Sequence, residues 1–100
     1  MRGTVTTIEP TGQMTTNGYT DPIKLEALQA GVGGYIEEVP GFTKFHRKAC
    51  VAFCNEEGKL KGLPVNSVAT NLWRKQTQAG DFLVGNVVIV QGDDAFMESL

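Results

Sequence analysis

Apolar and polar positions recur with readable periods along this chain, and the longest unbroken apolar run, Ala49 to Cys54, frames the rest. Six consecutive apolar residues leave no face of an extended segment for water, so the run predicts an inner strand. Asn55 ends it, and Glu56-Glu57-Gly58 predicts a three-residue loop whose glycine takes a positive φ. That loop sets an expected register, with Asn55 opposite Lys59, Cys54 opposite Leu60 and Val51 opposite Leu63. Pro64 has no amide to donate, so the return strand should stop near Leu63.

The flanking segments fill in the elements. Gly3 to Glu9 is rich in β-branched residues and predicts a strand with Val5 and Ile8 inward. Pro10-Thr11-Gly12 predicts a turn, and Gln13 to Thr20 a polar second strand in which Asn17-Gly18 is a hairpin-type turn signal. Asp21-Pro22 has the chemistry of a helix start, and Leu25, Leu28 and Val32 follow at helical spacing until Gly31, Gly33 and Gly34 end it. Tyr35 to Val39 reads as a strand with Ile36 inward, closed by Pro40-Gly41. Asn66 or Ser67 caps a second helix running to about Lys75, with Val68, Ala69 and Leu72 buried and Trp73 at their border. After a connection over 77–80, Asp81 to Gln91 is a bend and a second inner strand, with Gly85 at a bulge or close approach. Gly92-Asp93-Asp94 opens a short C-terminal helix or tail that docks Phe96, Met97 and Leu100. The expected fold is one α+β domain over residues 1–100: a small mixed or mainly antiparallel sheet, two main helices, and a short C-terminal helix or tail.

Composition changes this picture little. The chain has 100 residues, 41% of them hydrophobic and 20% charged, which is ordinary for a globular domain. No apolar run is long enough to cross a bilayer, and Met1-Arg2-Gly3-Thr4 leads into no signal-peptide core, so a cytoplasmic location without membrane contact is expected. Charge distribution matters more. The net charge is −2, yet between Lys44 and Lys75 seven basic residues meet only Glu56 and Glu57, which makes the middle of the chain a candidate anion-facing surface. Phe42 to Lys48 interleaves two aromatics and the single histidine with three basic residues. Such a segment either binds a base and a phosphate or is a connecting loop with its aromatics tucked against the sheet. Nucleic acid is disfavoured as a partner by the acidic total.

Conventional catalysis has little support in the residues. Cys50 and Cys54 lie about 13 Å apart on a strand, too far for a disulfide, and are expected as free thiols. With His46 they read H-x3-C-x3-C, which would share a face only on a helix and offers no fourth ligand, so neither metal nor cofactor is expected. Glu37 and Glu38 point to opposite faces of a strand and cannot pair as acid and base.

Three blocks, Leu25 to Glu37 (L-E-A-L-Q-A-G-V-G-G-Y-I-E), Asn55 to Asn66 (N-E-E-G-K-L-K-G-L-P-V-N) and Asp81 to Val90 (D-F-L-V-G-N-V-V-I-V), resemble a family of small proteins of phages, plasmids and bacterial genomes that is described only as a domain of unknown function. The resemblance implies a compact α+β protein of mobile-element origin in a bacterial host cytoplasm, and it carries no activity. Among the matching residues, Tyr35, Glu37, Asn55 and Asn66 have polar ends that turns and packing do not demand. The expected function is a non-enzymatic accessory protein that sequesters a host component, in its concrete form an anionic nucleotide signal of an antiviral defence system. Its pocket would combine Tyr35, Glu37, Asn55 and Asn66 with Lys44, His46 and Arg47, at a homo-oligomer interface. Two alternatives are an inhibitor or adaptor of a host defence protein, using an exposed apolar patch at Phe42, Phe45 and Trp73, and a small nucleotide hydrolase using Glu37.

Overall fold

The structure, a computed structural model, describes residues 1–78 and 80–100. Its elements in chain order are β1 (Gly3–Ile8), β2 (Met14–Tyr19), α1 (Leu25–Val32), β3 (Ile36–Glu38), β4 (Lys44–Phe45), β5 (Lys48–Ala49), β6 (Val51–Asn55), α2 (Ser67–Gln76), β7 (Val87–Gly92) and α3 (Asp94–Glu98). Five strands form one sheet in the order β2-β1-β7-β6-β3, and every neighbouring pair is antiparallel. β4 and β5 form a separate two-stranded hairpin. The fold is therefore α+β, with two main helices and a short C-terminal one.

Val51 to Cys54 of the apolar run lie in β6, an inner strand between β7 and β3, whereas Ala49 falls in β5 of the hairpin, opposite Lys44, and is exposed. The alternation of β6 splits the core in two. Ala52, Ile8, Val87 and Ile89 face the side covered by Ala69 and Trp73 of α2 and by Phe42, Phe45 and Cys50. Phe53, Val5, Val88 and Val90 face the side covered by Leu28 and Val32 of α1 and Phe96 of α3. A one-residue slip of β7 would exchange the two sets, so burial on both faces fixes the register.

Several expectations fail for physical reasons. The return strand from Lys59 to Leu63 does not form, because both edges of β6 are already taken by β3 and β7. Residues 56–62 instead coil into tight turns, with Lys61 donating to the Glu57 carbonyl and Leu63 to that of Gly58. Cys54 therefore sits opposite Glu37, and Leu60 is 89% exposed. The positive φ falls at Gly62, while Gly58 is glycine because a Cβ there would lie 2.8 Å from Val84 Cγ2. The first helix starts at Leu25 and not at Asp21-Pro22, since the extended chain first turns Ile23 into the core. Asn17-Gly18 lies within β2, the turn being made by Pro10–Gly12 with Gly12 at φ +92°. In α2 the fully buried residues are Ala69, Thr70 and Trp73, with Val68 and Leu72 only partly covered. The connection over 77–80 includes Ala79, which lies outside the described residues.

Candidate functional site

The Phe42 to Lys48 segment is neither a loop nor an aromatic patch. Phe42 and Phe45 are 2% and 4% exposed and Trp73 is 6%, so the apolar docking surface expected there is core. Between the aromatics the chain forms the β4–β5 hairpin, whose two-residue turn holds His46 at φ 50° and Arg47 at φ 65°. Both values are the left-handed geometry that a two-residue hairpin of matching twist requires. Two glutamines clamp its backbone. Gln76 accepts from the amides of Thr43 (3.0 Å) and Lys44 (2.8 Å) and donates to the Lys44 carbonyl (2.8 Å), while Gln91 donates to the Phe45 carbonyl (2.7 Å). Because both clamps use main-chain groups, the side chains of Lys44, His46, Arg47 and Lys48 stay exposed.

The two asparagines are spent on the fold. Asn66 is fully buried; its Nδ2 donates to the carbonyls of Ile8 (2.8 Å) and Gly85 (2.9 Å), and its Oδ1 accepts from the Ala69 amide (3.1 Å) as the cap of α2. Asn55 donates to the Val32 carbonyl (3.2 Å) and accepts from the Glu57 amide (2.8 Å), tying α1 to the turn after β6. Asn66 is thereby sealed from solvent, whereas Asn55 also lines the cleft beside β3. Of the expected site residues, only Glu37 and Asn55 line one cavity, the cleft beside β3. Asn66 begins α2 and Gln76, which grips Lys44, ends it, and ten helical residues separate them by about 15 Å. Tyr35 is 66% exposed and lines neither of the two concavities described next.

The first concavity is a cleft of about 210 Å³ beside β3. Glu37, Cys54, Glu56, Lys59, Asp81 and Trp73 line it, together with the exposed Leu60 and Phe82. Its lysine is paired internally, beside the two further carboxylates Glu37 and Glu56. Lys59 Nζ lies 2.5 Å from Asp81 Oδ1 and 4.8 Å from the centre of the Phe82 ring, and Arg74 donates twice to the Asp81 carbonyl. The Lys59 hydrogen bond, with a second from the Phe82 amide, holds the Asp81 carboxyl below its usual range. Burial, with Glu37 nearby, pushes the Cys54 thiol up to about 11, and burial alone does the same for Cys50. Both thiols are thus protonated at neutral pH and are poor nucleophiles.

The second concavity is an open groove of about 770 Å³ on the α2 side of the sheet. Gly18, Thr4 and Gln91 stand directly opposite one another on β2, β1 and β7 and form a cross-strand row along its floor. Lys48 and Ala49 of the hairpin wall it on one side, and Arg2, Tyr19 and Thr20 complete it. It carries two cations and no acidic residue. The basic stretch of the sequence is therefore divided in space: Lys59 and Arg74 serve the cleft, and Lys48 serves the groove. Arg2, Thr4 and Gln91 escaped the sequence reading because they lie far from the basic stretch; the one visible signal was a glutamine following the apolar run of β7.

The whole chain, residues 1–100, matches the family described as a domain of unknown function, DUF3846. No curated protein matches the chain, and no solved structure does.

Proposed function

The chain belongs to that family of unknown function, and we propose that its members of this form bind and hold a small phosphate-bearing anion without turning it over. The observation that carries this reading is the groove: about 770 Å³, lined by Arg2 and Lys48 and by no acidic side chain, the neighbouring Asp93 carboxylate being engaged by the Arg2 amide (2.8 Å) and the Met1 amino group. Ligand sites commonly span about 300–1,000 Å³, and an arginine with a lysine supplies forked and point-charge contacts to phosphate oxygens. The Thr4 hydroxyl offers a polar contact for the remainder of a nucleotide. In the setting that the family resemblance suggests, a mobile element in a bacterial host, holding such a molecule would withdraw a nucleotide signal from an antiviral defence.

The test is direct. Protein purified from cells is heated, and the released small molecules are identified by mass spectrometry. In parallel, melting is followed with inorganic pyrophosphate and a panel of cyclic and ADP-ribose-type nucleotides. A phosphate-bearing ligand, or a rise in Tm that Lys48→Glu abolishes, supports the reading; no released ligand and no shift with any of the panel removes it.

A second reading, an inhibitor or adaptor of a host protein, is favoured by Leu60 and Phe82, which expose apolar surface around the cleft. It predicts that Leu60→Asp abolishes partner binding and Lys48→Glu does not. A hydrolase would act from Glu37, opposite Cys54 in the same cleft; intact nucleotide after long incubation would eliminate it.

A further inference from the structure

The two edges of the sheet are built differently. β3 is three residues long and carries Glu37 and Glu38, the short and charged construction that discourages a further strand from adding. β2 has six residues, Met-Thr-Thr-Asn-Gly-Tyr, with no charge and no proline. Its first five residues are exposed on both faces, because the helices pack mainly on β6 and β7 and Phe96 of α3 reaches only Tyr19 at the end of β2. An uncharged edge of this length is a template for another strand.

Its register can be worked out. Glu9 donates to the Gln13 carbonyl at 2.9 Å, and Glu9 and Gln13 continue the β1–β2 pairing. Hydrogen-bonded pairs alternate along an antiparallel ladder, so Thr15, Asn17 and Tyr19 bond to β1 while the amides and carbonyls of Met14, Thr16 and Gly18 point outward. These six groups are spaced symmetrically about Thr16. A two-fold axis perpendicular to the sheet at Thr16 therefore pairs all of them with a second copy, Met14 with Gly18 on either side and Thr16 with itself. The side chains brought together are neutral and the largest, Met14, meets a glycine, so nothing repels.

We propose that β2 pairs antiparallel with β2 of a second copy of this chain, centred on Thr16, joining two five-stranded sheets into one of ten. Pairing does not depend on the groove holding a ligand. It does bear on the groove: Met14 of the partner subunit becomes the next member of the Gly18–Thr4–Gln91 row and closes the groove's open side.

Sedimentation of the full chain tests this, with two variants. Wild type is expected at twice the 10.8 kDa chain mass at about 100 µM, dissociating on dilution. Thr16→Lys sets two ammonium groups against each other across the axis and should raise the dissociation constant about tenfold or more. Thr16→Cys places two thiols at the axis with Cα atoms about 5.5 Å apart, within disulfide range, so mild oxidation should give a covalent dimer that Thr15→Cys does not give. Circular dichroism checks that each variant is folded. A wild-type monomer at every concentration, including one that recruits a foreign strand to β2, overturns the proposal. So does equal cross-linking from positions 15 and 16.

Discussion

The cleft beside β3 and the groove beside β2 lie toward opposite edges of one sheet and differ in what their charges are doing. In the cleft, Lys59 is held by Asp81 and stacked over Phe82, and Arg74 is occupied by the Asp81 carbonyl. The lining of the groove holds Arg2 and Lys48 and no carboxylate, and the nearby Asp93 is bonded to the Arg2 amide and the Met1 amino group. An anion entering the cleft must displace partners that the protein already supplies; one entering the groove meets no acidic side chain in its lining. A run of basic residues in a sequence thus says little about a ligand until the partner of each is known.

The frame that keeps the two regions apart gives the largest expected effect. Asn66→Ala removes the cap of α2, one of two donors to the Ile8 carbonyl and the side-chain donor to the buried Gly85 carbonyl, which should cost about 2–4 kcal/mol in denaturant unfolding. Asn55→Ala, with two bonds lost, should cost about 2–3 kcal/mol. A loss below about 1 kcal/mol for Asn66→Ala would mean that its amide is not a structural tie.

The thiols sharpen the comparison from the cleft side. With both at about 11, only about a thousandth is thiolate at pH 8, so alkylation of the native protein should be about 100-fold slower than of the unfolded chain. Their raised values also fix a sign: the folded state holds these protons more tightly, so the stability they contribute is complete below about pH 8.5 and declines as pH climbs toward 11. Rapid labelling of Cys54 would make the cleft a site of chemistry.

From the groove side, Lys48→Glu should weaken binding of pyrophosphate about tenfold or more while leaving unfolding unchanged, and Lys59→Ala should leave binding unchanged. Equal losses would erase the distinction. The smallest effect concerns Asp81. Its carboxyl is held low by Lys59, so the pair's contribution is present at neutral pH and disappears as pH falls below about 4. Asp81→Asn should flatten the acid limb of stability slightly, because the pair is exposed to solvent.

What could be read from the chain followed from burial and backbone chemistry. An inner strand in the apolar run, a glycine ending α1, a cap at Asn66 or Ser67 and the docking of Phe96 each rest on a local physical demand; the structure has the strand from Val51, the αL glycine at Gly33, the cap at Asn66 and Phe96 in the core. The return strand after Gly58 was not legible, because its failure depends on β3 and β7 arriving from distant segments to occupy both edges of β6. The structural ties of the two asparagines were hidden for a related reason. Asn55 and Asn66 looked unexplained by turns, but the groups they satisfy belong to Val32, Ile8 and Gly85, remote in sequence. The groove floor joins β2, β1 and β7, so no window of the sequence contains it.

Amide chemical-shift mapping during titration of the isotopically labelled protein with pyrophosphate tests the central claim most directly. The account predicts that Arg2, Thr4, Lys48, Ala49 and Gln91 shift together and saturably, with Glu37, Lys59 and Asp81 unmoved. Shifts confined to the Glu37–Asp81 cleft, or none at all, would contradict it.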